Sequence, residues 1–399
     1  MPSRRNELRG SFAAVGIGEV PTGVYPDRSA LDAAMLVARE AVRDSGIPKE
    51  EIDVVMTTGA IFNPEFNADM IFSRLVEELG LTGTTHTNMQ VMAGGASSSV
   101  MFKTAGALVT SGLADHVLVI ASDKLATGMS IADAIDTFAR YGIPAEWERP
   151  YGQHFSAIAA LIMQRYQHET GTTAEQLASV CVSLRAWACL NPNAMYRKPL
   201  TIEEVLSSKM LSEPLHAKES NMLADGAAAF VVTTAERARE LTETPVFYLG
   251  SGGRVTHYAL SQEPDITRFG WAQAGHEAFA EAGIDVADVD IAEIYDSYAI
   301  FNLICLEELG FVERGEAGAF VEAGHTSPGG KLPMTTNGGM LSQGHTAVGG
   351  GVAILVETIR QLQGRAGERQ VPGATLAVET SVGGSYMDAQ VLVLSTEVR

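Results

Sequence analysis

The feature that most constrains the fold of this chain is an internal duplication. Residues 40–57 read as an amphipathic helix that ends at Gly46, a short acidic turn and a β-branched strand, and residues 277–295 repeat this order. The two helix-closing glycines, Gly46 and Gly283, are 237 residues apart. Because a helix closed by glycine and followed by a buried strand is a unit of layered α/β folds, the sequence predicts two α/β halves.

Further repeats follow in the same order in both halves. In the first, a turn at residues 88–95 opens a helix, and a buried strand follows at residues 116–121. In the second, a glycine-rich turn from Asn337 opens a helix to about Leu362, and a strand follows at residues 374–380. We therefore expect two copies of one topology, related by a pseudo-twofold axis.

The predicted fold class is α/β, with two duplicated αβ halves and an inserted cap. Residues 1–123 form the N-terminal half, which part of residues 218–260 completes, and residues 261–399 form the C-terminal half. Residues 124–240 largely lack a counterpart and contain nine aromatic residues and five methionines. We interpret them as a largely inserted cap or loop region suited to an apolar substrate.

Composition narrows the class of protein. The chain has 399 residues, and its 28 Lys and Arg against 48 Asp and Glu give a net charge of -20, which repels nucleic acid and anionic membranes. We expect no membrane span and, from a start without an apolar segment, no export signal. Three cysteines without a CxxC pair favour the cytoplasm and argue against a structural zinc site.

One histidine lies in the glycine-rich turn of the second half. The segment Asn337-Gly-Gly-Met-Leu-Ser-Gln-Gly-His345 leads directly into an apolar helix. Glycines let the backbone approach a ligand closely, so His345 could transfer protons or bind an oxyanion at the start of a helix. The alternative is a histidine that merely caps the helix.

These motifs together resemble the thiolase superfamily, over essentially the whole chain. Asn337-Gly-Gly through Gly-His345 matches the family pattern NGGxxxxGH, and Ser381-Val-Gly-Gly follows the last long strand. Tyr295-Asp-Ser-Tyr and Gly315-Glu-Ala-Gly-Ala-Phe are typical of sterol-carrier-protein thiolases and of thiolase-like proteins that work beside an OB-fold acyl-CoA-binding partner. The resemblance implies an α-β-α-β-α layered fold.

The resemblance also shows what this chain lacks. Thiolases need a nucleophilic cysteine at the first helix-opening turn and a second cysteine near the C-terminus, and these positions fall on Met92 and Ser381. A thioether cannot lose a proton and form an acyl thioester. Because none of the three cysteines lies near either motif, we expect no covalent Claisen chemistry through cysteine.

Steroid side-chain aldolases of this superfamily carry a catalytic tyrosine in the motif that contains Tyr295. The resemblance therefore implies aldol or retro-aldol chemistry on a β-hydroxyacyl-CoA, which needs an acid, a base and enolate donors but no nucleophile. We predict Tyr295 and His345 as the acid/base pair and the backbone N–H groups of Gly383 and Gly384 as enolate donors. Those aldolases have a second tyrosine at the position of His345, so which of the two residues is the base stays open.

Further residues are predicted to line the substrate site. They are Met92, Asn337, Ser381 and His154, together with the two glycines. Asp296 either orients a neighbouring residue or caps a helix.

The resemblance leaves two other functions open. One is acyltransferase or thiolase-type C-acylation by an unusual cysteine-free mechanism, and the other is a non-catalytic subunit of a complex. The expected ligand is a coenzyme A thioester as substrate, with no covalently bound cofactor and no metal. The expected assembly is a homodimer through residues 88–95, or a heterotetramer with an OB-fold/zinc-ribbon protein.

Overall fold

The computed structural model describes residues 8–59 and 71–398. Residues 1–7, on which the export-signal expectation partly depends, lie outside the described residues. The strands in chain order are β1 (Phe12–Glu19), β2 (Val54–Thr57), β3 (Thr87–Gln90), β4 (His116–Lys124), β5 (Met210–Ser212), β6 (Leu215–His216), β7 (Asp225–Thr234), β8 (Val246–Val255), β9 (Ile291–Glu293), β10 (Leu376–Gly383) and β11 (Asp388–Ser395).

The α-helices in chain order are α1 (Ala30–Ser45), α2 (Ile71–Glu78), α3 (Ser97–Thr110), α4 (Ile131–Gly142), α5 (Phe155–Thr170), α6 (Ala174–Leu190), α7 (Ile202–Leu206), α8 (Ala235–Leu241), α9 (Trp271–Ala282), α10 (Ala299–Glu308), α11 (Ala317–Glu322), α12 (Gly339–Ser342) and α13 (Gly349–Leu362). None of these helices combines the length and apolarity that crossing a bilayer requires, as far as the described residues extend.

The main sheet carries the duplication. Its strand order is β3-β2-β4-β7-β1-β8-β11-β10-β9, and β5 and β6 form a separate hairpin. The two halves meet where β1 pairs antiparallel with β8. Outward from this junction, β1-β7-β4-β2 and β8-β11-β10-β9 both run through two antiparallel pairs and then a parallel one. The predicted duplicated α/β fold is confirmed.

Equivalent glycines bring a helix onto each inner strand. A Cβ on Gly16 or Gly18 of β1 would collide with the backbone of α1, and a Cβ on Gly250 or Gly252 of β8 would collide with the backbone of α9. Both helices end at glycines with positive φ, 71° at the residue after α1 and 65° at the residue after α9. The repeat seen in the sequence is therefore a repeat of helix-on-strand packing.

Helices α3 and α13 form a central layer. They pack against each other and against strands of both halves, whereas α1 and α9 cover the opposite faces. The buried apolar core of the central layer includes Phe12, Phe102, Phe230, Val356 and Leu392. This packing gives the α-β-α-β-α order, and it brings the N-termini of α3 and α13 together.

The region between the halves is helical, although part of it belongs to the sheet. Helices α4 to α7 and the β5–β6 hairpin lie in residues 124–240, but β7 of the same range pairs with β4 and β1. The domain boundaries themselves stay a prediction. In the second half, α11 packs on α6, where a Cβ on Gly318 would lie 3.0 Å from Gln176.

Candidate active site

The candidate site lies where α3 and α13 begin. A Cβ on Gly351 would lie 3.0 Å from the carbonyl oxygen of Gly95, so the two helix starts are in close contact. The hydroxyl of Tyr295 lies against the same glycine, because a Cβ on Gly95 would be 2.5 Å from it. The ring of His345 lies 3.4 Å from a Cβ built on Gly350. Both predicted acid/base residues therefore reach this junction.

The backbone of His345 is held by a short segment that precedes β7, the 220–224 strap. The N–H of His345 donates to the carbonyl of Met222 at 2.6 Å, and the N–H of Ala224 donates to the carbonyl of His345 at 3.0 Å. On its other side the His345 ring contacts Phe138 of α4, with 6.0 Å between ring centroids. The turn is thus fixed by both the strap and the cap.

His345 is a neutral, incompletely satisfied histidine. Its side chain is buried, and Nδ1 has no hydrogen-bond partner among the described residues. Burial lowers the pKa of His345 to about 4, so the imidazole is uncharged at pH 7. A buried polar atom without a partner is uncommon in folded proteins and is typical of a position that a ligand satisfies.

Tyr295 is also buried and neutral. Its backbone N–H donates to Thr380 Oγ1 at 3.2 Å, which ties the end of β9 to β10. Burial, with a smaller effect from the charge of Asp296, raises the pKa of Tyr295 above its usual value. At neutral pH the site therefore holds a phenol that keeps its proton and an imidazole able to accept one.

Asn337 shapes the turn before His345. Its Oδ1 accepts from the N–H of Gly339 at 2.7 Å, and its carbonyl accepts from Asn191 Nδ2 at 2.9 Å. The side-chain Nδ2 is buried without a partner among the described residues. This amide is free to donate to a substrate oxygen, which is compatible with the predicted role of Asn337 in substrate binding. That role stays a prediction.

The thiolase cysteine positions contain no thiol. Met92 lies on the turn before α3, and the residue is 45% exposed. Cys181 and Cys189 are on α6 and Cys305 is on α10. Burial raises the pKa of the Cys181 and Cys305 thiols, which makes them poor nucleophiles.

Ser381, at the second cysteine position, points into a buried polar cluster. Its Oγ lies 2.6 Å from Ser99 Oγ, and Ser99 Oγ donates to Glu379 Oε2 at 2.8 Å. Burial raises the pKa of Glu379 to about 7. Sequence reasoning missed Glu379, although an acidic residue within an apolar strand was a visible signal.

The structure places the remaining predicted residues around the same junction or beside it. Gly383 is the last residue of β10 and Gly384 follows it, and a Cβ on Gly94 would lie 3.2 Å from Gly384 N. His154 is the N-cap of α5, and its Nδ1 accepts from the N–H of Ala157 at 3.3 Å. The local role of His154 is therefore to cap a helix, and its predicted contact with substrate stays untested.

Aromatic side chains line the cap side of the site. Phe138 and Phe155 are 6.2 Å apart, and Phe155 and Tyr386 are 5.6 Å apart, both edge to face. Sequence reasoning did not single out any of the three, because they come from separate segments. Within the described residues, no group of three or more His, Cys, Asp or Glu side chains is arranged to hold a metal ion.

Comparison with known proteins identifies the family. A family model described as thiolase C-terminal domain-like matches residues 252–396. The acetyl-CoA acetyltransferase of Methanothermobacter thermautotrophicus is 32% identical over 384 residues, covering 96% of this chain and 99% of that protein. The chain belongs to the thiolase superfamily.

Other members of the thiolase superfamily are similar over nearly the whole chain. The 17-hydroxy-3-oxo-4-pregnene-20-carboxyl-CoA lyase of Mycobacterium tuberculosis is 32% identical over 368 residues, covering 90% of this chain and 92% of that protein. Among solved structures, the Ltp2-ChsH2(DUF35) aldolase superposes with a TM-score of 0.85 at 27% identity, covering 97% of this chain and 98% of that chain.

Proposed function

We propose that this thiolase-superfamily protein is a lyase that cleaves a β-hydroxyacyl-CoA by a retro-aldol reaction, with Tyr295 and His345 exchanging the protons. One observation carries the proposal. The turn at which thiolases carry their nucleophilic cysteine holds Met92, while the neutral phenol of Tyr295 and the neutral imidazole of His345 both reach the junction of α3 and α13. The similarity to a CoA-thioester lyase and to an aldolase supports the same reaction.

The chemistry balances without an enzyme nucleophile. His345 accepts the proton of the β-hydroxyl group, the bond between the α- and β-carbons breaks, and its electrons pass into the thioester enolate. Tyr295 protonates the α-carbon. The products are a carbonyl compound and a shortened acyl-CoA, and proton return from imidazolium to phenolate restores the site.

The enolate oxygen needs donors while negative charge develops. The candidates are Asn337 Nδ2 and the backbone N–H groups of Gly383, at the end of β10, and of Gly384, in the turn that follows. The edge-to-face contacts of Phe138, Phe155 and Tyr386 favour a bulky, apolar acyl group, and a steroid side chain is the first class to test.

Assembly and location are part of the proposal. The solved aldolase combines its thiolase-fold chain with a DUF35 subunit, and we infer that this chain works with an OB-fold/zinc-ribbon partner. Strand β3 lies at the edge of the sheet, so residues 88–95 are available to a second copy in a homodimer. We place the protein in the cytoplasm.

The test uses purified protein alone and with its partner from the same genome. β-Hydroxyacyl-CoA and β-ketoacyl-CoA compounds, including steroid thioesters, are incubated with the wild type, Tyr295→Phe and His345→Ala, with Tyr166→Phe and His116→Gln as matched controls. Tyr166 and His116 are buried residues that hydrogen-bond to Glu307 and Thr233, away from the site. Loss of cleavage in Tyr295→Phe and His345→Ala, with cleavage retained in both control variants, supports the proposal. Unchanged cleavage in all variants indicates a silent subunit and contradicts it.

Cysteine-free acyl transfer is the second candidate, because one similar protein is an acetyltransferase. Intact mass spectrometry after incubation with acyl-CoA separates the two reactions. An acyl group on the protein would favour transfer, whereas an unchanged mass together with cleavage products favours the lyase.

A further inference from the structure

We propose that Asp296 is a positioning residue that fixes Tyr295 and His345 relative to each other by binding the backbone of residues 339–341. Its effect on turnover rests on the proposed function, whereas its effect on the geometry of His345 does not. Asp296 follows Tyr295 directly in the chain and is fully buried.

The carboxylate binds the start of α12 with both oxygens. Oδ1 accepts from the N–H of Met340 at 2.8 Å, and Oδ2 accepts from the N–H of Leu341 at 3.1 Å. Gly339 makes this approach possible, because it has a φ of 62° and because a Cβ there would collide with the carboxylate. The carboxyl oxygens keep acceptor capacity when Asp296 is protonated, and their hydrogen bonds are stronger when it is ionised, so this contact holds the turn in both states.

The turn transmits the position of Met340 to His345. The carbonyl of Gly339 accepts from the N–H of Gln343 at 2.7 Å, which closes the backbone just before His345. In addition, Met222 donates its N–H to the carbonyl of Met340 at 2.9 Å and accepts the N–H of His345 at 2.6 Å. One residue of the 220–224 strap thus joins the segment that Asp296 binds to the histidine.

The same strap returns to the residue after Asp296. The backbone N–H and the side-chain Nδ2 of Asn221 both donate to the carbonyl of Ser297, at 3.0 and 3.2 Å. The contacts therefore form a closed ring through Asp296, Met340, Met222, Asn221 and Ser297. Tyr295 is attached at one side of this ring and His345 at the other, so a change at Asp296 alters their separation.

A carboxylate suits this position better than an amide does. Two N–H groups converge on two oxygens, and an asparagine would offer one oxygen and turn its NH₂ group toward the second N–H. Asp296→Asn therefore keeps the volume of the side chain but leaves a buried donor without an acceptor.

The matched control is Glu308→Gln. Glu308 is a largely buried residue whose carboxyl group also accepts two backbone N–H groups, from Phe269 at 3.1 Å and Trp271 at 2.8 Å. Burial raises the pKa of both Asp296 and Glu308 to about 7. Glu308 binds the start of α9, however, and does not contact the His345 turn.

The experiment measures kcat, KM and the ¹³Cε1 NMR shift of His345 between pH 5 and 8, in the full chain with its partner. In the wild type the His345 signal should not titrate in this range. In Asp296→Asn the turn loosens, and we expect a titration to appear and kcat to fall by about 10- to 100-fold with KM changed less than threefold. Glu308→Gln should change neither the titration nor kcat beyond about twofold.

The outcomes separate the positioning role from the proposed reaction. A wild-type level of kcat and an unchanged His345 signal in Asp296→Asn would overturn the positioning role, even if the wild type cleaves its substrate. A wild type without lyase activity would overturn the reaction, while a new titration in Asp296→Asn would still support positioning. Should Asp296→Asn not fold, Gly339→Ala, which displaces the carboxylate, should show the same titration, and its absence would contradict the proposal.

Discussion

The ring of His345 packs against the ring of Phe138, with 6.0 Å between their centroids. This contact places helix α4 of the cap over the candidate site and keeps water from the imidazole. The low pKa of His345 is thus a consequence of the cap, since burial is its cause.

Phe138→Ala should therefore raise the pKa of His345 from about 4 toward 6.5. NMR titration of the imidazole measures this shift. Phe320→Ala is the control, because Phe320 packs on His325 at 4.8 Å away from the site. An unchanged pKa in Phe138→Ala would show that α4 does not exclude water from His345.

The stability of the protein should depend on pH through His345. Its pKa is about 4 when folded and 6.5 in the unfolded chain, so only the unfolded chain binds a proton between these values. The contribution is fully present above pH 6.5 and is lost as the pH falls through this window, by about 2 kcal/mol between pH 7 and 5.

Urea unfolding of the wild type and His345→Gln at both pH values isolates this effect. Buried carboxyl groups with raised pKa values, such as Glu293 at about 8, act in the opposite direction but are common to both proteins. The wild type should lose more stability than the variant between pH 7 and 5. Equal losses would mean that His345 is not desolvated in the folded protein.

The cysteines should be dispensable. A variant with Cys181, Cys189 and Cys305 all changed to Ala should keep kcat within about threefold of the wild type. Cys305 Sγ lies 3.8 Å from Thr380 Oγ1, which binds the backbone of Tyr295, but no thiol is placed as a nucleophile at the thiolase cysteine positions. Each buried truncation should cost stability, which thermal unfolding measures separately. Loss of turnover in a folded variant would be incompatible with a cysteine-free mechanism.

Gly95→Ala should impair the site through Tyr295. The added Cβ would lie 2.4 Å from the carbonyl oxygen of Val382 and 2.5 Å from the tyrosine hydroxyl. Both the end of β10 and Tyr295 must therefore shift, and kcat should fall by about 10- to 100-fold. The measurement is kcat of the folded variant at saturating substrate. A wild-type kcat in folded Gly95→Ala would show that the position of Tyr295 does not limit turnover.

The sequence was sufficient to predict the repeat but not the contacts between its parts. Gly46, Gly283 and the turns at residues 88–95 and from Asn337 carry local signals of helix ends, and the structure has the corresponding helices. The missing thiol at Met92 was equally visible. Local pattern and residue chemistry determine these features.

The relationships that organise the site are tertiary and were not predictable. Asp296 binds Met340, which is 44 residues away, and Phe138 covers His345 from a different segment. Asp296 could be read as a helix cap or as an orienting residue, and the structure shows that it caps α12. No periodicity links such pairs, because the packing of separate segments brings them together.

The most direct test of the central claim is the cleavage of a β-hydroxyacyl-CoA in the absence of free coenzyme A. The wild-type complex should release a carbonyl compound and a shortened acyl-CoA in equal amounts, with no mass added to the protein, and Tyr295→Phe and His345→Ala should abolish the release. A requirement for free coenzyme A, or an acyl adduct on the protein, would contradict the retro-aldol account.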